Sequence, residues 1–104
     1  MNSEILILFS RKGCCLCETL EKNLSSIGLI NLNPPIVLSI IDIDNNEVPI
    51  EIKKKYTNEV PVLVLDSNKL SRKIELPRVS PRLKEDLLLS WIQKNLNVVL
   101  ITES

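Results

Sequence analysis

With 104 residues the chain is long enough for one domain with a single core, and 44% hydrophobic against 25% charged residues excludes disordered and fibrous classes. Thirteen basic residues balance thirteen acidic ones, so the positive footprint of nucleic-acid or polybasic membrane partners is missing. No apolar stretch reaches the roughly 18–20 residues of a membrane span, and the N-terminus lacks the basic region and small-residue cleavage site of a signal peptide, so the expected address is the cytoplasm.

Glu4 to Phe9, "EILILF", is short, apolar and β-branched, which predicts a strand buried on both faces. From Cys14 onward, Leu16, Leu20, Leu24 and Ile27 recur at helical spacing, with Glu18, Glu21 and Lys22 on other faces and Gly28 as a stop. "NLNPP", Asn31 to Pro35, is a turn, and "IVLSIIDI", Ile36 to Ile43, reads as a second buried strand. Strand, helix and strand together predict a parallel βαβ unit.

Asn45 and Asn46 precede a short helix of about Pro49 to Tyr56, whose apolar pattern is weak. "VPVLVLD", Val60 to Asp66, is a third strand, and "KLSRKIEL", Lys69 to Leu76, alternates Leu70, Ile74 and Leu76 against Arg72 and Lys73 as a half-exposed fourth. Ser80 is the expected cap of a last helix with Pro81 at its first position and a stripe of Leu83, Leu87, Leu88, Trp91, Ile92 and Leu96. The tail, 98–104, is apolar without clear period; a longer helix, an extended segment and a partner contact all remain open for it. The predicted order is β-α-β-α-β-β-α in one α/β domain, 1–104.

All three cysteines stand at 14, 15 and 17, inside "SRKGCCLCETL", at the junction of the first strand and first helix. Secreted disulfide scaffolds spread an even number of cysteines along the chain, so this cluster points to chemistry or a ligand instead. C-x-x-C at a helix start brings Cys14 and Cys17 together across one turn. There, unpaired backbone N–H groups and the positive end of the helix stabilise a thiolate, lowering a thiol from about 8.5 to roughly 3.5–7.5. Arg11 and Lys12 add positive charge, and no histidine exists in the chain to act as base. Cys17 falls on the inner side with Leu20 and Leu24. Cys14 is therefore the candidate nucleophile, Cys17 the candidate resolving thiol and Cys15 a bystander. A zinc site within one chain lacks its four ligands. An iron–sulfur cluster or metal held by a dimer through Cys14, and an adaptor whose thiols no longer turn over, are the alternatives.

"FSRKGCCLC", Phe9 to Cys17, resembles the glutaredoxin pattern of an aromatic strand end, a cation three residues before the first cysteine, glycine and C-x-x-C. "YTNEVPVLVLD", Tyr56 to Asp66, is similar to the segment around the cis-proline of that family. "CCLCE" and "IDIDNNEVPIEIKKKY" resemble a small glutaredoxin-like subfamily with C-x-L-C followed by Glu. The resemblance implies a thioredoxin/glutaredoxin-like fold, a mixed four-stranded sheet flanked by three helices, from Glu4 to about Leu96. It implies thiol–disulfide oxidoreductase activity through Cys14 and Cys17, a cis peptide before Pro61, and substrate contacts by Arg11, Lys12, Val60 and Pro61. No cofactor is required, with glutathione a candidate co-substrate. The implied partners are a disulfide-containing protein or small thiol and an external thiol reductant.

Typical glutaredoxins carry Pro-Tyr between the cysteines, Thr before Val-Pro and a Gly-Gly-acidic turn before the last helix. Here Cys15-Leu16, Glu59 and "PRVSPR" stand in those places. Glu59 is expected to bring negative charge towards an anionic ligand, leaving Arg11, Lys12, Arg78 or Arg82 to hold carboxylates, so glutathione recognition is expected to be weak.

Overall fold

A computed structural model describes residues 4–32, 35–68, 71–80 and 82–102, with backbone alone for 100–102. Its elements are β1 (Glu4–Ser10), α1 (Cys15–Ser26), a 3-10 turn (Leu29–Asn31), β2 (Ile36–Asp42), α2 (Ile50–Tyr56), β3 (Val62–Ser67), β4 (Arg72–Glu75) and α3 (Glu85–Thr102). Four strands form one mixed sheet in the order β2-β1-β3-β4. β1 runs parallel to β2, from Glu4 beside Ile36 to Ser10 beside Asp42, and antiparallel to β3. The predicted parallel βαβ unit and element order are present, and β3 pairs antiparallel with β4.

Alternation along β1 divides the core between the two sheet faces. Leu6 and Leu8 face Leu20 and Leu24 of α1 and Leu88, Ile92 and Leu96 of α3. Ile7 and Phe9 face the other way, against Ile43, Val48, Tyr56, Val62 and Val64. A strand that must be apolar on both faces reads as an unbroken hydrophobic run, which accounts for "EILILF".

Three sequence expectations change. β2 is not buried on both faces: it lies at the sheet edge, leaving Val37 46% and Ile40 42% exposed. α2, at seven residues about 10 Å long, is shorter than the roughly 23 Å of a seven-residue strand, and it leaves part of its sheet face uncovered. An open cleft of about 560 Å³ runs there past Phe9, Ile41, Val48, Ile52 and Tyr56.

Leu16 and Leu87 also leave the predicted stripes, each about half exposed. Both sit in the first turn of their helix, and in α1 Cys17 takes the inward place instead, 1% exposed. Finally, α3 starts at Glu85 and not after Ser80. Leu83 N–H donates to Ser80 O and Arg82 N–H to Ser80 Oγ, so Ser80 organises a turn one step before the helix. Glu85 and Asp86 supply the acidic first turn that suits the helix dipole. Pro81, and Lys69 and Leu70 of the predicted fourth strand, lie outside the described residues. The tail continues α3 as helix to Thr102.

β3 begins at Val62, so Val60 and Pro61 form its approach. Phe9 pairs with Val62. The chain leaving β1 for the cysteines and the chain entering β3 at Val60-Pro61 therefore emerge at the same end of two adjacent strands.

Candidate active site

Arg11, Lys12, Gly13 and Cys14 make the turn between β1 and α1, closed by Cys14 N–H donating to Arg11 O at 3.2 Å. Gly13 has φ +79°, and an added Cβ there meets nothing within 4 Å, so conformation and not space demands glycine. The turn delivers Cys14 to the N-cap of α1. Its Sγ accepts a hydrogen bond from Cys17 N–H at 3.1 Å, in the place where a serine or aspartate oxygen more often caps a helix. Cys14 and Cys17 are joined as a disulfide with Cα atoms 5.2 Å apart. Cys14 is partly exposed, Cys17 is buried in the face of α1 that holds Leu20 and Leu24, and Cys15 is an exposed free cysteine.

The cations predicted beside the thiols are placed unequally. Lys12 is exposed at the turn. Arg11 is engaged: Nε and Nη2 donate to Asp44 Oδ2 and Oδ1 at 2.8 and 3.1 Å, while Nη1 and Nη2 donate to Thr57 O and Oγ1 at 2.9 and 2.7 Å. The hydrogen bond from Arg11 holds the Asp44 carboxyl below its ordinary value, and the same bond raises the guanidinium. Neither Asp44 nor Thr57 stands out in the sequence, because they lie 33 and 46 residues from Arg11.

Val60 and Pro61 are half-buried, and the peptide between them is cis, the conformation that the resemblance implies. Arg78 binds this approach from the far side. It donates to Glu59 O, to the Glu59 carboxylate and to Pro61 O, the last at 3.1 Å. Glu59, expected to bring negative charge towards an anionic ligand, is thus paired with a cation. A smaller cleft of about 270 Å³ opens beside Cys17 between α1 and the end of β2, lined also by Lys12, Glu18, Glu21, Ile40 and Asp42. Three carboxylates against the Lys12 ammonium and the Arg11 guanidinium, itself paired with Asp44, make poor surroundings for an anion.

A helix-capping cysteine bonded to a second cysteine one turn on, beside an X-Pro approach to a neighbouring strand, can form and break a disulfide without moving the backbone far. A family model, Glutaredoxin-like domain (DUF836), matches residues 5–93. The chain belongs to this glutaredoxin-like family. One relative of the glutaredoxin-like chain is Glutaredoxin-C6 of Arabidopsis thaliana, 31% identical over 58 residues, which are 56% of this chain and 38% of that protein. The chain therefore spans well under half the length of the curated relative it matches. A solved structure of a malarial protein is similar in fold, with TM-score 0.60 and 24% identity over 91% of this chain and 99% of the other. The fold is thioredoxin-like, and the paired cysteines support a thiol redox role. No helix among the described residues is long and apolar enough to cross a membrane.

Proposed function

We propose that this glutaredoxin-like protein is a dithiol–disulfide oxidoreductase. The observation that carries the reading is the capping bond from Cys17 N–H to Cys14 Sγ, since a donor already aimed at that sulfur favours its thiolate in the reduced protein. The Cys14 thiolate attacks one sulfur of a substrate disulfide; a mixed disulfide forms and the departing thiolate takes up a proton. Cys17, deprotonated, then attacks Cys14 Sγ. The substrate's second thiol leaves, and the Cys14–Cys17 bond closes. The substrate has gained two electrons, the protein has lost two, and an external thiol reductant returns them.

In this reading the Val60 backbone next to Pro61 pairs with an extended substrate segment, in the manner of strand addition. Of the two cations just before Cys14, Arg11 is paired with Asp44, and exposed Lys12 is the one placed to meet a negatively charged group. The substrate is a disulfide-bearing polypeptide or the disulfide of a small thiol compound, in the cytoplasm, with no nucleic acid or membrane as partner. A reductase-coupled assay with glutathione and a dithiol as competing reductants tests the proposal. Turnover driven by the dithiol is expected, and absence of turnover with both would overturn it.

A further inference from the structure

Residues 57–61 belong to no helix or strand, and Asn58 and Glu59 are exposed. Thr57 N–H donates to Lys53 O at 2.9 Å and Glu59 N–H to Tyr56 O at 2.8 Å, which ties the beginning of the segment to α2. The segment is also gripped by two guanidinium groups, one from the turn after β1 and one from the stretch after β4. We infer that Arg11 and Arg78 are positioning residues that clamp Thr57–Pro61 beside the cysteine pair, and that neither serves as a binding site for substrate carboxylates.

Arg11 reaches across from the turn that carries Cys14 and fastens Thr57 through both its carbonyl and its hydroxyl. Arg78 reaches back from the segment after β4 and fastens the carbonyls of Glu59 and Pro61, so that Val60 is held from both sides by one planar group. Each guanidinium also carries a carboxylate, Asp44 on Arg11 and Glu59 on Arg78. To bind a ligand carboxylate through the N–H groups already in use, either arginine would have to surrender a charge-assisted bond. The same bonds explain why arginine is needed. A planar fork with five N–H donors serves four fixed acceptor atoms at Arg11 and three at Arg78, whereas a lysine ammonium supplies the charge without that geometry.

The inference rests on the proposed dithiol function only in placing Val60 against substrate. Its test separates charge from geometry, using Arg78→Lys, Arg78→Ala and Arg11→Lys in the full chain. Turnover of an end-blocked, uncharged peptide disulfide is measured for each, relative to reduction of its Cys14–Cys17 bond by dithiothreitol, which needs no pairing with Val60. Hydrogen exchange is read at the amides of residues 57–60 and in α3. A clamp predicts that Arg78→Lys is as impaired as Arg78→Ala, with KM for the peptide raised about tenfold and kcat nearly kept. Exchange at 57–60 then rises about tenfold in all three variants while α3 is unchanged. Arg78→Lys and Arg11→Lys with wild-type KM and wild-type exchange would overturn the inference, since charge alone would then suffice. Should the unaltered protein fail to reduce the peptide at all, the oxidoreductase reading falls, and the exchange comparison still decides the clamp.

Discussion

The backbone N–H of Cys17 points at Cys14 Sγ from 3.1 Å, so the first turn of α1 is closed through a sulfur that also carries the site's chemistry. On reduction that donor remains beside the same atom, and the N-terminal end of the helix adds its partial positive charge. Cys14 should therefore be the most acidic of the three thiols. Alkylation of the reduced protein at mildly acidic pH, followed by peptide mapping, should label Cys14 first. Earlier labelling of Cys15 or Cys17 would reverse the assignment of roles.

Burial separates the other two cysteines. Cys17 is 1% exposed behind Cys14, which suits it to attack a mixed disulfide from within, while Cys15 faces solvent. Cys17→Ser should accumulate a mixed disulfide through Cys14, visible by mass spectrometry, that the unaltered protein resolves. Cys15→Ser should keep dithiol turnover within about twofold, since it removes no group in contact with the reacting sulfurs. Equal losses from both changes would bring Cys15 into the mechanism.

Glutathione should bind weakly. Arg11 and Arg78 are committed to Asp44 and Glu59, and the cleft beside Cys17 carries Glu18, Glu21 and Asp42. In a titration followed by NMR, resonances near Lys12, Pro61 and Ser80 should move only at high glutathione concentration. Glu59→Thr should tighten binding by about two- to fivefold, because it removes a carboxylate and frees one face of Arg78, an effect that screening keeps small at an exposed site. Saturation of the unaltered protein at micromolar glutathione would contradict this.

The Arg11–Asp44 pair should be insensitive to pH across the neutral range. The Asp44 carboxyl is held below its ordinary value of 3.8 by the hydrogen bond from Arg11, so its contribution is present above that value and is lost only as pH falls through the depressed one. Arg11 is raised by the same bond, so its contribution is present below the ordinary guanidinium value and fails only at higher pH still. Protection of the Thr57 amide should thus be flat from about pH 5 to about pH 9, while the alkylation rate of Cys14 climbs with its thiolate fraction. Protection that changes midway through that range would mean another group controls the segment.

Tyr56 joins α2 to the far edge of the sheet: its ring stacks on Phe9 with centroids 5.4 Å apart, and its hydroxyl donates to Glu75 Oε1 at 2.8 Å. Burial and the Glu75 bond push the phenol up, so it stays a donor well into alkaline pH. Tyr56→Phe keeps the stack and loses the bond, and urea unfolding should show a loss of about 0.5–1.5 kcal/mol.

Local signals were enough for the element order and for much of the cysteine site, because a capping position, a glycine turn and a helical stripe are short-range properties. Cys17 was legible as an inward residue from its spacing to Leu20 and Leu24. The exposure of Val37 and Ile40 was not, since an apolar run reads alike in a central strand and in an edge strand, and strand order is decided by packing. Ser80-Pro81 carried a helix-start signal, yet the chain spends Leu83 on the core before Glu85 opens the helix. The arginine contacts were out of reach for a related reason: Arg11 and Thr57 meet only after α1, β2 and α2, which lie between them in the chain, have assembled with β1.

The place of Cys15 outside the Cys14–Cys17 bond turns the protein into its own gauge of oxidation. With Cys14 and Cys17 bonded, Cys15 is the free thiol; with the bond opened, all three cysteines are thiols. A colorimetric thiol count on unfolded protein that had been acid-quenched beforehand would therefore run from one to three equivalents. That two-equivalent span reports the fraction reduced at any moment without a label, a coupled enzyme or a change to the sequence.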